Sequence, residues 1–462
     1  MTSLARKTNS LLVRDIHTLV LMDAADTRIR GGFLYAEDGE IKLVGTRPPR
    51  TLRAACTINA RHMVAIPGLI NTHHHLWQTL TRAYPATADA ELFDWLRKLY
   101  PLWARLDEEA MHVSALVGMA ELMLSGCTTT ADHHYLFPRG QTQLIDVEIE
   151  AARRIGIRFH PTRGSMSLGR SKGGLPPDSV VQSEEKILAD SERLIRRYHD
   201  PRPGSMLQIG LAPCSPFSVS PRLMRETAEL AQRHGVRLHT HLAETRDEEG
   251  YCLRRFRKRP LEMLRDFGWL ANTTWLAHGI YFNRSEVARL GRARVGIAHC
   301  PSSNMRLGSG LAPVPELRRA GCPVGLGADG SASNDSSHML SEVRQALLLN
   351  RLGHGAAALG VRDALRMATT EGARCLGRSD IGSLEVGKRA DVALFDLRDI
   401  GYSGAGEALA ALLLCAPTRA HTLVVEGRVV VEGSALKTLV LEPLLARHRR
   451  LAAKMVGSPP LL

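Results

Sequence analysis

The stretch SPRLMRETAELAQRHGVRLHTH, residues 220–241, reads as one helix feeding one strand. Ser220 has the side chain of an N-cap, Pro221 suits the first helical position, and Gly235 falls just past the last turn. Val236–Leu242 follows as a short run in which apolar and polar residues alternate. Similar short runs recur at Leu207–Leu211, Thr274–Ala277, Val295–Ala298 and Val324–Gly327, with helical periodicity between them. Strand–helix alternation over about 300 residues predicts a (β/α)8 TIM-like barrel, of class α/β. The competing doubly wound open sheet lacks its usual marks. No GxGxxG lies between a strand and a helix, and no Walker A sequence occurs.

Outward from that middle, both ends change character. Thr18–Met22, Gly32–Ala36, Ile41–Val44, Asp391–Phe395 and Thr422–Glu432 are β-rich runs, the last punctuated by Gly427 and Gly433 as in a hairpin. They predict a small β-sandwich domain built from residues 1–66 and 386–462, flanking a barrel of residues 67–385. A chain of 462 residues is long enough for both.

Composition narrows the class. Hydrophobic residues at 44% and charged residues at 23% are ordinary for a globular enzyme. No run approaches the roughly 18 apolar residues of a membrane span. Residues 1–10, with Arg6 and Lys7, lack the apolar core of a secretory signal, so a cytoplasmic location is expected. The net charge of +13 includes the run Arg254, Arg255, Arg257, Lys258 and Arg259, but no nucleic-acid motif accompanies it. The eight cysteines form no CxxC pair, which argues against a zinc ribbon or a disulfide framework. Expected partners are a small molecule and further copies of the chain, with neither nucleic acid nor membrane.

Several of the short runs end on chemistry. Pro67-Gly68-Leu69-Ile70-Asn71-Thr72 leads into His73-His74-His75, and alternation puts His73 and His75 on one side with His74 opposite. His239 and His241 repeat the spacing. His241 is the chosen ligand because Glu244 follows at +3, where a carboxylate can lie beside a metal-bound water without ligating. His239 reads as a supporting histidine. His278 fits either a ligand or a non-ligating group that steadies water and an oxyanion. His299 fits a supporting role, the pocket wall or plain packing. Asp329, within Gly327-Ala328-Asp329-Gly330-Ser331, completes a shell of three His and one Asp. Such a shell suits one Zn²⁺, and its nitrogen and oxygen donors also accept Fe²⁺ or Mn²⁺.

Together, residues 67–75, His-Leu-Ala-Glu at 241–244, His278 and residues 327–331 resemble the amidohydrolase superfamily. More narrowly they resemble its branch of cytosine, guanine and S-adenosylhomocysteine deaminases and triazine hydrolases. The likeness extends to Gly387-Lys388-Arg389-Ala390-Asp391, where the chain of such proteins re-enters the small domain. Where the carboxylated-Lys bimetal pattern would place its Lys, this chain has Ala212-Pro213-Cys214. Loop stretches at 75–82, 132–138, 163–169, 173–177, 212–218 and 300–307 are similar to branch members that deaminate 8-oxoguanine.

The resemblance implies hydrolytic deamination at a C–N bond of a cyclic amidine, 8-oxoguanine and water giving urate and ammonia. Guanine, isocytosine, a pterin or an s-triazine such as hydroxyatrazine are the alternative rings, and an inactive assembly protein the distant one. It also implies roles: Asp329 as ligand and base, Glu244 as proton shuttle, and His278 hydrogen-bonding the new hydroxyl. For the ring itself, Gln78, Cys214, Trp77, Tyr135 and Arg163 are the expected contacts.

Overall fold

The computed structural model describes residues 9–415 and 417–459. Residues 1–8 of the segment read for a secretory signal lie outside them. Eight parallel strands close into a barrel: β1 (Leu69–Asn71), β2 (Cys127–His134), β3 (Arg158–Ser165), β4 (Gly210–Pro213), β5 (Arg237–Leu242), β6 (Thr274–His278), β7 (Gly296–His299) and β8 (Val324–Leu326). All five middle runs of the sequence reading contribute to barrel strands. The helix after β4 is Pro221–His234, with the Ser220 hydroxyl accepting from Leu223 N at 3.0 Å and Gly235 at φ 65°. Its C-terminal turn therefore ends in the left-handed conformation that glycine adopts without cost.

Closure of the ring is made by polar groups. Leu326 pairs with Asn71, Thr72 donates both N–H and Oγ1–H to Leu326 O, and Asn71 Oδ1 accepts from Ala328 N at 2.8 Å. Asp329 N then donates to His73 O at 3.0 Å. The first and last strands thus meet at the residues that carry the site's chemistry. Small residues permit this, since a Cβ on Gly327 would approach His73 Cβ to 2.7 Å and Cys300 Sγ to 2.9 Å.

Both termini supply a second, mostly antiparallel sheet of nine strands. Its N-terminal strands run from Ser10 to Pro67 and its C-terminal ones from Val392 to Leu436. Met63–Pro67 pairs with Val392–Asp396, stitching the two ends together. One face buries Val13, Ile16, Leu19, Leu34, Ala65, Val392 and Leu394 in a core separate from that of the barrel. Arg158 on β3 joins the two cores: fully buried, it donates to both Asp391 oxygens (3.1–3.2 Å) and to Glu426 Oε2 (2.7 Å). A helix, Leu441–Val456, follows the sheet and packs on the barrel helix Glu108–Leu124, an addition to the strand-rich reading of this end. Among the described residues no helix is long and apolar enough to cross a membrane.

Candidate metal centre

Hydrogen bonds to groups that can only accept fix the proton on each imidazole. His75 Nδ1 lies 2.8 Å from His133 O, and His241 Nδ1 lies 2.7 Å from Cys214 O. Carbonyls cannot donate, so each Nδ1 carries the hydrogen and each Nε2 of the neutral ring is a bare lone pair. The same logic runs one residue further for His73. His239 Nδ1–H donates to Trp275 O (2.9 Å), which leaves His239 Nε2 to accept from His73 Nδ1–H at 2.8 Å. His73 Nε2 is thereby a third lone pair, buried and without a partner. Burial drives all three rings below their ordinary pKa, which keeps the lone pairs free.

These lone pairs converge. His75 Nε2 and His241 Nε2 are 3.2 Å apart, and Asp329 Oδ1 is 3.5 Å from His73 Nε2 and 3.4 Å from His75 Nε2. Two bare nitrogens facing each other beside a carboxylate repel unless a cation sits among them. The four donors therefore fit a divalent ion of the zinc type, three nitrogens and one oxygen. His74 points the other way, its Nε2 2.9 Å from Ser337 Oγ. His239 stacks on Trp275 and serves His73 rather than the cavity.

Asp329 divides its two oxygens. Oδ1 faces the imidazoles and accepts from Gly330 N at 2.7 Å, while Oδ2 accepts from Ser303 Oγ at 2.6 Å and lies 3.9 Å from His278 Nε2. Burial resists its ionisation, but the surrounding imidazoles of His73, His75 and His278 hold its carboxyl well below the usual carboxylate range. His278 Nδ1–H donates to Asn304 Oδ1 (2.9 Å), aiming Nε2 at Glu244 Oε2, 3.6 Å away. Burial opposes a charge on His278, yet Glu244 and Asp329 raise its pKa above the ordinary value. Burial pushes the Glu244 carboxyl up to about 7, with His278 opposing and Asp329 adding to the rise.

Three site residues sit in left-handed backbone: Ala243 (φ 56°), His278 (φ 70°) and Asp329 (φ 61°). Such strain persists only where the surroundings enforce it, and it clusters at sites that do chemistry. Glu248 enforces the first of the three. Its carboxylate accepts from Ala243 N (2.9 Å) and Glu244 N (3.0 Å), holding the turn that delivers Glu244.

Above the centre lies a cavity. His75, His241, Glu244, His278 and Asp329 form its floor. Leu92, Trp95, Leu96 and Tyr100 of helix Leu92–Trp103 face it, together with Phe217 and Leu307. Of the five expected ring contacts, Gln78, Tyr135 and Cys214 line this cavity. A Cβ on Gly330 would overlap the Gln78 carboxamide, so the glycine makes room for it; Gln78 Oε1 is buried with no protein partner. Cys214 is a neutral thiol, pushed up to about 12 by burial.

The other two expected contacts lie elsewhere. Trp77 packs behind His75 among Trp103, His134 and Tyr135. Arg163 is consumed by Asp190 (2.9 Å), Gln182 (2.7 Å), Gly164 O and the face of Phe137. Both stand outside the cavity wall because their outward-facing positions are filled by packing partners. His299 is likewise buried outside the cavity wall, and burial depresses it to about 3.

Four residues at the site escaped the sequence reading: Tyr100, Glu248, Ser303 and Asn304. Glu248 had a signal, since Thr245 and Glu248 stand at capping-box spacing. Its carboxylate reaches past the N-cap to the two preceding N–H groups. Ser303 and Asn304 sit on the short helix Pro301–Arg306, within a stretch noted above only for its resemblance. Tyr100 looked like any apolar residue of an amphipathic helix.

Comparison with known proteins agrees with this geometry. The sequence pattern of the amidohydrolase family matches residues 64–430. The chain is 54% identical over 427 residues to an 8-oxoguanine deaminase of Pseudomonas aeruginosa, covering 92% of this chain and 95% of that protein. It is 40% identical over 408 residues to a hydroxydechloroatrazine ethylaminohydrolase of a Pseudomonas species, covering 85% and 84%. Among solved structures, an atrazine chlorohydrolase from Arthrobacter aurescens complexed with zinc superposes with a TM-score of 0.92 at 34% identity, covering 96% of this chain and 100% of that one.

Proposed function

The chain belongs to the amidohydrolase family and is a hydrolase acting on C–N bonds, and from that premise we propose that it converts 8-oxoguanine and water to urate and ammonia. The observation that carries the chemistry is the convergence of three tautomer-fixed lone pairs and Asp329 beside the unligated Glu244. The substrate choice is supported by the Pseudomonas aeruginosa relative and by a cavity that presents an amide, a phenol and a neutral thiol to a polar ring.

His73, His75, His241 and Asp329 would hold a divalent ion, zinc by preference, which would supply the Lewis acidity that makes water nucleophilic near neutral pH. Asp329 Oδ2 faces His278 and the cavity side, and it takes the proton of the attacking water. Glu244, with a carboxyl that is protonated in part near pH 7, gives a proton to the ring nitrogen beside the attacked carbon. That transfer prevents negative charge from building on the ring as the C–O bond forms. His278, its ring fixed by Asn304, donates from Nε2 to the new hydroxyl. The C–N bond to the exocyclic amine then breaks: Asp329 passes its proton to the amine, which leaves as ammonia, and the new hydroxyl returns a proton to Glu244 as it becomes the urate carbonyl. Gln78 pairs with the ring edge and Cys214 donates weakly to a ring carbonyl, with Tyr135 as an aromatic wall. The same reading takes the protein as a cytoplasmic homo-oligomer, whose mass by light scattering is a multiple of 50.7 kDa.

The test is ammonia release from zinc-loaded protein offered 8-oxoguanine, guanine, isocytosine, isoxanthopterin and hydroxyatrazine in parallel. The highest kcat/KM is expected for 8-oxoguanine. Turnover of another ring with none of 8-oxoguanine would reject the substrate and keep the reaction class.

A further inference from the structure

Behind the metal centre, β2 carries a second cluster. His133 faces the barrel interior, stacked on His241, so alternation turns Asp132 and His134 outward. There they meet Glu148 of the helix Leu144–Ile155. All three side chains are fully buried, with donor atoms within 4.8 Å of one another and His134 Nδ1 3.1 Å from Glu148 Oε1. With both carboxyls ionised, Asp132 Oδ2, both Glu148 oxygens and His134 Nδ1 have no hydrogen-bond partner.

Two carboxylates removed from water with no donor between them cost several kcal/mol per ion. One proton resolves the arrangement. A proton shared between Asp132 and Glu148 removes one charge and supplies the missing donor, with the Nδ1 of neutral His134 3.1 Å from Glu148 Oε1. Burial acts in the same sense, raising both acids and lowering His134 to about 4.

The bonds leaving this cluster run to the site. Asp132 Oδ1 accepts from Leu76 N at 2.8 Å. Leu76 opens the short 3₁₀ segment Leu76–Thr81, which contains Gln78 and whose own N-cap, His75, makes no side-chain capping bond. Asp132 therefore caps that segment from a neighbouring strand. The adjacent β2 backbone holds the same loop twice more, His133 N donating to His74 O at 2.7 Å and His75 Nδ1 to His133 O at 2.8 Å.

We propose that Asp132, Glu148 and His134 form a positioning cluster, joined by a shared proton, that fixes the Leu76 backbone and through it the metal ligand His75 and the cavity residue Gln78. The proposal rests on the reading of His75 as a ligand, and it is independent of which ring is the substrate. Glu148→Gln keeps a donor toward Asp132; Glu148→Met keeps the bulk and removes the donor. Folded Glu148→Met protein should lose zinc to a competing chelator with about 10-fold weaker affinity than wild type, the usual scale for groups that orient ligands. Its KM should rise, while Glu148→Gln stays within about twofold on both measures. Should Glu148→Met fail to fold, His134→Phe, which lacks the Nδ1, carries the same expectation of weakened zinc.

Wild-type zinc retention and KM in whichever of these folds overturns the proposal, as does equal damage from Glu148→Gln. Two zinc equivalents per wild-type chain, one lost in both Glu148 variants, would make the cluster a second cation site and overturn it as well. A His75→Ala control separates the failures. Unchanged zinc affinity there rejects the ligand reading along with the cluster; lost zinc there, with wild-type behaviour in Glu148→Met, rejects the cluster alone.

Discussion

Glu244 and Asp329 are both buried carboxyls within reach of His278, yet their surroundings push them apart. Asp329 is surrounded by imidazoles and bonded by Ser303 and Gly330, and it stays ionised. Glu244 has only His278 near one oxygen, and burial lifts it to about 7. A pair so divided can serve as base and acid at one pH. Glu244→Gln should therefore bind zinc as wild type does while kcat falls by about 10²–10⁴-fold, the contribution of a placed proton donor. Metal analysis and kinetics on the same sample check it, and substantial remaining turnover would remove Glu244 from its role. The histidines proposed to hold the ion stand out in the sequence by HxH spacing and strand-end position. Which neighbours fix their protons is not legible there, because Trp275 O, Cys214 O and His133 O belong to strands whose register only folding reveals.

At the level of elements, three pieces of the site hang from strand ends bent into left-handed backbone, at Ala243, His278 and Asp329. The loop after β8 is the most constrained. Gly330 abuts the Gln78 carboxamide, so Gly330→Ala should push that amide off the ring edge and raise KM by about 10-fold, one hydrogen bond's worth, with zinc content unchanged. An unaltered KM would show that Gln78 makes no contact with substrate. Strands β2 and β3 were the elements least visible in the sequence. Cys127-Thr128-Thr129-Thr130 and Arg158 to Ser165 are polar-rich, yet every residue of both strands is buried. Thr130, Arg158 and Arg163 among them find partners elsewhere in the chain, Asn71, Asp391 and Asp190, so polar side chains interrupt any apolar run that would mark the strands. For that reason Asp132 and Arg163 were read as loop residues, and Arg163 as a ring contact, when they lie on strands.

Over the whole molecule, the site exists only when the ring closes. The proposed donors come from residues 73, 75, 241 and 329, and the β8–β1 junction brings the first and last together through Asp329 N on His73 O. The terminal sheet is tied to the same ring by Arg158, whose two acidic partners lie more than 230 residues away. The alternation of strands with helices and the β-rich character of both ends could be read from periodicity, since both depend on local pattern. Cavity shape could not, because its roof is an ordinary-looking helix, Leu92–Trp103. The account as a whole stands on the metal-dependent release of ammonia from an oxidised purine. Protein stripped by chelation and then given one equivalent of zinc per chain should form urate and ammonia from 8-oxoguanine in equal amounts, with turnover in the stripped sample near zero. Undiminished turnover after stripping, or ammonia formed without urate, would contradict it.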